Sequence, residues 1–357
     1  MRFSRLGIRA RPVASVLVAG ALLLSIGSVG AVQQTLPASL TAKEFWALTE
    51  RFSEPNGYFR SNSGSPDNLL SNEATVSTVA TELAQRVKPS GVYLGVGPEQ
   101  NFTYIAATRP RLAIITDIRR GNLHLHLLYK AAFELTTNRA DFLAMLFSRK
   151  RPAGLSATSS ASQLMNAYLL VDPADDASYQ ANLKIVIDHL TKTRGLPLDA
   201  DDIAGIDYVY THFNRFGPAI NYTSSINGRS GSSGSYASIL AARDMSGAER
   251  TFLASEEPFN IVKTMQGKNL IVPIVGDFAG PKALRAVAAY LKEHGATVSA
   301  FYVSNVETYL ERNGVWQTFC GNVAALPLNA ESLFIRPGNG RNSSLGPMVA
   351  ETAGCAR

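Results

Sequence analysis

Val92-Tyr93-Leu94-Gly95-Val96-Gly97-Pro98-Glu99-Gln100-Asn101, followed by Ile114-Ile115-Thr116-Asp117, decides the fold class of this 357-residue chain. A short apolar run, Gly91 to Val96, ends in a Gly-x-Gly turn. Behind it the spacing predicts a helix with Phe102, Ile105 and Ala106 on one face, Gly97 as its N-cap and Pro98 at its first position. Arg109-Pro110 stops that helix. Leu112 to Thr116 is a continuous apolar run, as expected for a strand buried on both faces of a parallel sheet, and Asp117 ends it. Strand, glycine turn, helix and strand open a doubly wound α/β fold.

The same alternation resumes far along the chain. Leu270 to Val275 and Thr297 to Val303 read as strands around an amphipathic helix, Pro281 to His294. Phe252 to Ala254 reads as a short strand, Pro258 to Met265 as a helix, and Ser332 to Ile335 as a last edge strand. Between the two α/β stretches, about 139–246, the pattern is a helical insertion: Ala140–Phe147, Ala161–Leu169, Ser178–Thr193 and Ala200–Phe216, then a loop of Ser, Gly, Asn and Arg from Thr223 to Ser235. Ahead of residue 91, residues 32–90 read as turn-rich sequence and one helix, about Glu73 to Val87, packing on the core. The expected architecture is a mostly parallel Rossmann-like sheet over 91–340 with that insertion, and a C-terminal tail over 341–357.

A glycine turn lets a ligand approach the backbone, and a helix N-terminus offers free N–H groups and partial positive charge. Asp117, 22 residues after Gly95, stands where an acid at the second strand end can accept two ribose hydroxyls. In these residues the sequence resembles the Rossmann-like S-adenosylmethionine-dependent methyltransferase superfamily, over about 91–137 and less clearly 268–310. The phrase from Gly95 to Tyr104 also looks like an uncharacterised family of exported bacterial proteins. The methyltransferase resemblance implies S-adenosylmethionine as cofactor, with Gly95 and Gly97 along its methionine moiety, Asp117 on its ribose, and Glu99 and Asn101 completing the site. The usual third glycine falls at Glu99, or at Gln100 in the dinucleotide pattern. A carboxylate at Glu99 would repel a pyrophosphate, which favours a nucleoside carrying a sulfonium over NAD or FAD.

Ligands of open α/β sheets bind outside the carboxyl ends of the strands. Asp277, Ser304 and Asn305 follow the later strands and belong to that edge, as site residues or as helix caps. Asp277 or His212 is the candidate base and Asn305 a positioner. Ser53 to Phe59, with Ser71-Asn72-Glu73, either folds over the crevice or forms a surface loop and a cap. His124 and His126 are two apart on a helix and cannot chelate one ion. Arg119-Arg120 and Arg149-Lys150-Arg151 read as solvated ends, without the interleaved aromatics of a nucleic-acid platform.

The net charge of +6 invites a nucleic-acid partner, but four of those charges are Arg2, Arg5, Arg9 and Arg11. They precede the apolar run Val13 to Ile26 and the small residues ending at Ala31. That is the pattern of a signal peptide, or of an uncleaved anchor, over 1–31. The rest is then exported and carries only +2. Export allows Cys320 and Cys355, the only cysteines, to pair. Two functions follow: an S-adenosylmethionine-dependent transferase, or a non-catalytic Rossmann-like module for a small ligand. The expected partner is a small molecule, with no nucleic acid and no membrane span beyond the leader.

Overall fold

The two apolar runs around the Gly-x-Gly turn become β1 (Val92–Val96) and β2 (Leu112–Asp117), paired in parallel and buried at every residue. Burial on both faces is why neither run alternates polar with apolar. The structure, a computed structural model, describes Met1 and residues 35–58, 67–73, 75–224, 234–336 and 344–355. The expected leader, past Met1, and most of the Ser/Gly stretch lie outside the described residues. The chain divides into Met1–Gln33 and a compact unit, Gln34–Arg357.

In that unit α1 (Ala42–Phe52) and α2 (Val76–Arg86) precede β1, and α3 (Gln100–Thr108) joins β1 to β2. After β2 comes α4 (Arg120–Leu135), then the helices of the insertion, α5 (Arg139–Leu146), α6 (Ala161–Leu169), α7 (Asp176–Asp188), α8 (Ala200–Phe216) and α9 (Tyr236–Leu240), and then α10 (Glu256–Gly267). Then come β3 (Ile271–Val275), α11 (Ala283–Glu293), β4 (Val298–Tyr302), α12 (Val306–Arg312), α13 (Trp316–Ala324), β5 (Leu333–Arg336), β6 (Ser344–Pro347) and α14 (Met348–Glu351). The strand order is β3-β2-β1-β4-β5-β6, parallel except for β6, which runs antiparallel to β5. The order reverses between β1 and β4, which makes a crevice beyond their carboxyl ends.

Helix α4 carries the insertion. It is buried on almost every side, against α8, α5, α10 and β3, so its polar residues need internal partners. Lys130 Nζ donates to Glu134 (2.8 Å), the Gln266 carbonyl (2.8 Å) and Asn269 Oδ1 (2.6 Å). Asp202 of α8 accepts from Arg120 Nε and Nη2 at 2.8 and 2.9 Å and faces His124 Nε2 at 2.9 Å.

Several sequence expectations are corrected. The turn-rich N-terminal stretch contains α1, capped by a reciprocal Thr41–Glu44 box, with Phe45, Trp46, Leu48 and Phe52 buried. Helix α3 starts at Gln100, because Gly97 adopts φ +75° and takes the turn itself. Phe252 to Ala254 is a turn rather than a strand: the Ala254 N–H donates to the Thr251 carbonyl, and Phe252 packs edge-on to Phe102. The strand at Leu333–Arg336 is not the edge, because the expected tail supplies β6 beyond it. Arg120, Arg119 and Arg149 are tied down rather than solvated; Arg149 donates to the Tyr168 and Val171 carbonyls. Cys320 and Cys355 form a disulfide between α13 and the segment after α14.

Candidate functional site

A cleft of about 430 Å³ opens beyond the carboxyl ends of β1, β2, β3 and β4. Gly97 lines it just past β1, with Gln100 at the start of α3; Asp117 ends β2 and Arg119 follows it; Asp277 and Phe278 follow β3; Tyr302 ends β4, with Ser304, Asn305 and Tyr309 beyond. The N-terminal segment folds over it, as the first of its two readings held: Tyr58, Asn68, Ser71 and Asn72 line the same cleft. That segment is pinned by backbone bonds from Glu54 N–H to the Val275 carbonyl and from Gly57 N–H to the Ile118 carbonyl, each 2.8 Å. Glu54 also accepts from the N–H groups of Asp277 (3.1 Å), Lys282 and Ala283 (both 2.8 Å), so it caps the start of α11.

The glycine turn is braced from within. Asn101 Nδ2 donates to the carbonyls of Val96 (2.9 Å), Gly97 (3.2 Å) and Pro98 (2.8 Å), and Asn101 Oδ1 accepts from the Tyr93 hydroxyl at 2.7 Å. A Cβ on Gly95 would overlap Asn101 Oδ1, so this glycine makes room for the brace and does not line the cleft. Gly97 does line it, with φ +75° and no atom nearer than 3.8 Å to a virtual Cβ. His126 Nε2 lies 2.9 Å from the Gly97 carbonyl. Burial lowers this histidine to about 4, so the ring is neutral and Nε2 is the donor.

Asp117 is where the strand end should put it, on the cleft wall, but it is not free. Its Oδ1 accepts from Arg119 N (2.9 Å) and Nε (3.2 Å), and its Oδ2 from Nη2 (3.3 Å). Asn68, oriented to satisfy both amide atoms, accepts from the same guanidinium at 3.0 Å. Asp277 Oδ1 accepts from the Ala279 N–H at 2.9 Å, so it shapes the turn after β3 while lining the cleft. Asn305 is exposed at the rim and makes no side-chain cap to α12.

Besides Gly95, three expected site residues are elsewhere. Glu99 and Asn101 are fully buried beneath the turn. Glu99 accepts from the Ser71 N–H at 3.3 and 3.2 Å, and burial pushes it up to about 8, so it is a neutral acid at pH 7. It neither reaches the cleft nor presents a charge to a ligand. His212 is buried in α8, its Nδ1 2.8 Å from the Tyr208 carbonyl, and does not line the cleft. His124 and His126 face different partners, Asp202 and Gly97.

Sequence reading missed Glu73 as a chemical group. Its Oε1 accepts from Ser304 Oγ at 2.7 Å, and Ser304 lines the cleft in a left-handed conformation, φ +51°. Asn68, on the facing segment, has φ +47°. Two non-glycine residues with positive φ on one cleft mark a site where the fold holds strain. One buried cleft atom, Gln100 Oε1, has no hydrogen-bond partner among the described residues, and the Tyr302 hydroxyl lies against Glu73 and Ser304. The only sequence signal for Glu73 was its place in the polar phrase Ser71-Asn72-Glu73. Among the described residues no group of three His, Cys, Asp or Glu side chains is placed to hold a metal, and no helix is long and apolar enough to cross a membrane.

The arrangement joins a glycine turn, an acid–guanidinium pair and a hydroxyl–carboxyl pair around one cleft, which suits a small polar ligand. No curated protein matches the chain. A family described as "Domain of unknown function (DUF7790)" matches residues 69–192 and 233–350, the stretches that build the sheet and most of this cleft, and the chain belongs to that family.

Proposed function

We propose that the cleft binds a small nucleoside-type ligand, with S-adenosylmethionine the candidate, and that the protein is an exported methyl or alkyl transferase. The observation that carries this reading is Asp117 on the cleft wall, at the end of β2 and beside the Gly97 turn. An ionised carboxylate has about four acceptor positions, and Arg119 takes three of them. Oδ2 therefore has room for one ribose hydroxyl, and a second requires Arg119 to turn toward the ligand. Arg119 then serves as a counter-charge for the ligand's carboxylate. Asp277 is the remaining candidate base and Asn305 a positioner at the rim. Export is supported by the N-terminal pattern and by the Cys320–Cys355 disulfide.

A second reading, a non-catalytic ligand-binding module, is favoured by the withdrawal of Glu99 and His212 from the cleft. Calorimetry on the purified protein separates the possibilities. S-adenosylmethionine and its demethylated product should bind well below millimolar, and Asp117→Ala should weaken both by about tenfold, the loss of one charge-assisted hydrogen bond. Silence at millimolar ligand overturns the nucleoside reading, and unchanged affinity in D117A overturns the ribose role. Transfer of a labelled methyl group distinguishes enzyme from module. A fusion reporter after residue 60 reads export, and cytoplasmic signal there overturns it.

A further inference from the structure

The cleft has two sides. Asp117 and Arg119 stand at the end of β2, Tyr302 and Ser304 at and just past that of β4, and β1 lies between. Two strand spacings separate the sides by about 10 Å, room for one ligand group on each. On the β4 side Ser304 Oγ–H points at Glu73, and the Tyr302 hydroxyl lies against both. Having donated its proton to Glu73, the Ser304 oxygen can still accept, so a donor-bearing ligand group in the cleft would bond there. Glu73 has no cation bonded to it among the described residues. The ionisable groups facing it are Glu99, Tyr93 and Tyr104 from β1 and α3, and Tyr302 from β4.

We infer that the β4 side takes an alcohol or amine co-substrate, whose donor group bonds to Ser304 Oγ and passes its proton through that hydroxyl to Glu73. This rests on the cleft holding a methyl or alkyl donor on the β2 side. In the transfer the co-substrate O–H or N–H bond breaks and its proton goes to Ser304 Oγ, while the Ser304 proton goes to Glu73 Oε1. The oxygen or nitrogen lone pair forms the new bond to carbon, and the carbon–sulfur pair stays on sulfur as a neutral thioether. Glu73 later returns the proton to solvent. Burial raises Glu73 above the ordinary carboxylate value, with the neighbouring Tyr302 and Ser304 hydroxyls partly offsetting this, which brings its basicity nearer the working pH. Glu73 acts through Ser304 and is a positioning residue, whereas Ser304 touches the co-substrate.

Ligand-observed NMR titration of the full chain tests this with benzyl alcohol, benzylamine and the donor-free benzyl methyl ether. The alcohol and amine should bind about tenfold or more tighter than the ether, the worth of one strong hydrogen bond. E73Q and S304A should each abolish the preference, E73D should restore part of it, and the pH profile of benzylamine binding should change in E73Q beyond the amine's own titration, which both proteins share. S304A, at a partly exposed site, keeps the test available if E73Q unfolds. Equal binding of alcohol and ether, or a preference that survives both variants, overturns the assignment. A Glu73-dependent preference in a protein that ignores S-adenosylmethionine sinks the nucleoside reading and leaves this subsite standing.

Discussion

Gly95 and Asn101 are one device at the residue scale. The missing Cβ at Gly95 is the space that Asn101 Oδ1 occupies, and Asn101 in turn holds three carbonyls of the turn. Gly95→Ala should cost about 1–3 kcal/mol as overpacking. Asn101→Ala should relieve part of that cost, so the double variant loses less than the sum; strict additivity in denaturant titration contradicts the brace. Glu99 gives a second prediction. It holds its proton up to about 8 when folded, against 4.5 as its ordinary value. The native state therefore binds more protons between these limits. The contribution of Glu99 to stability is highest below 4.5, falls as pH rises toward about 8, and then levels. Glu73, shifted in the same direction, adds to that slope. Glu99→Gln should flatten the profile by about a few kcal/mol across that window. Parallel profiles for E99Q and wild type in urea titrations would show that Glu99 is not the group concerned.

At the scale of elements, the helices and strands were legible because their signals are local. The bounds Ala161–Leu169 and Ala200–Phe216 agree with the apolar periodicity to the residue, and β1 through β5 fall on the apolar runs within a residue or two. Helix α1 was passed over although Thr41 and Glu44 spell a capping box, because its surroundings are rich in turn residues. The role of Glu54 was beyond local reading. It caps α11 from more than 220 positions away, and nothing near Glu54 or Lys282 announces the pairing. Glu54→Ala should cost about 1–2 kcal/mol, as other lost caps do. Amide exchange should rise at Lys282 and Ala283 and, because the same segment roofs the cleft, at Gly57. Unchanged exchange at all three would mean that the backbone bonds alone hold the segment.

Over the whole molecule, the last strand, α14 and the disulfide close the sheet. The bridge spans 35 positions, and in the chain-entropy picture its loss costs about 3–4 kcal/mol. C320S/C355S, or reduction, should therefore lower the melting temperature and loosen amides of β6 before those of β1. Equal melting with and without reductant would show that β6 pairing and the Cys355 contacts suffice alone.

The sequence by itself determined the α/β class, the insertion between β2 and β3, and the strand ends at which a ligand crevice must lie. Apolar periodicity and glycine–proline punctuation act over a few residues, and the carboxyl-end rule follows from topology alone. Only the tertiary structure decided which polar residues face that crevice. Glu99 and Asp117 look alike as acids after strands, but helix phase and packing bury the first and place the second on the wall. Glu73, Ser304 and Tyr302 meet from segments more than 200 residues apart, a proximity that folding creates and no local pattern encodes.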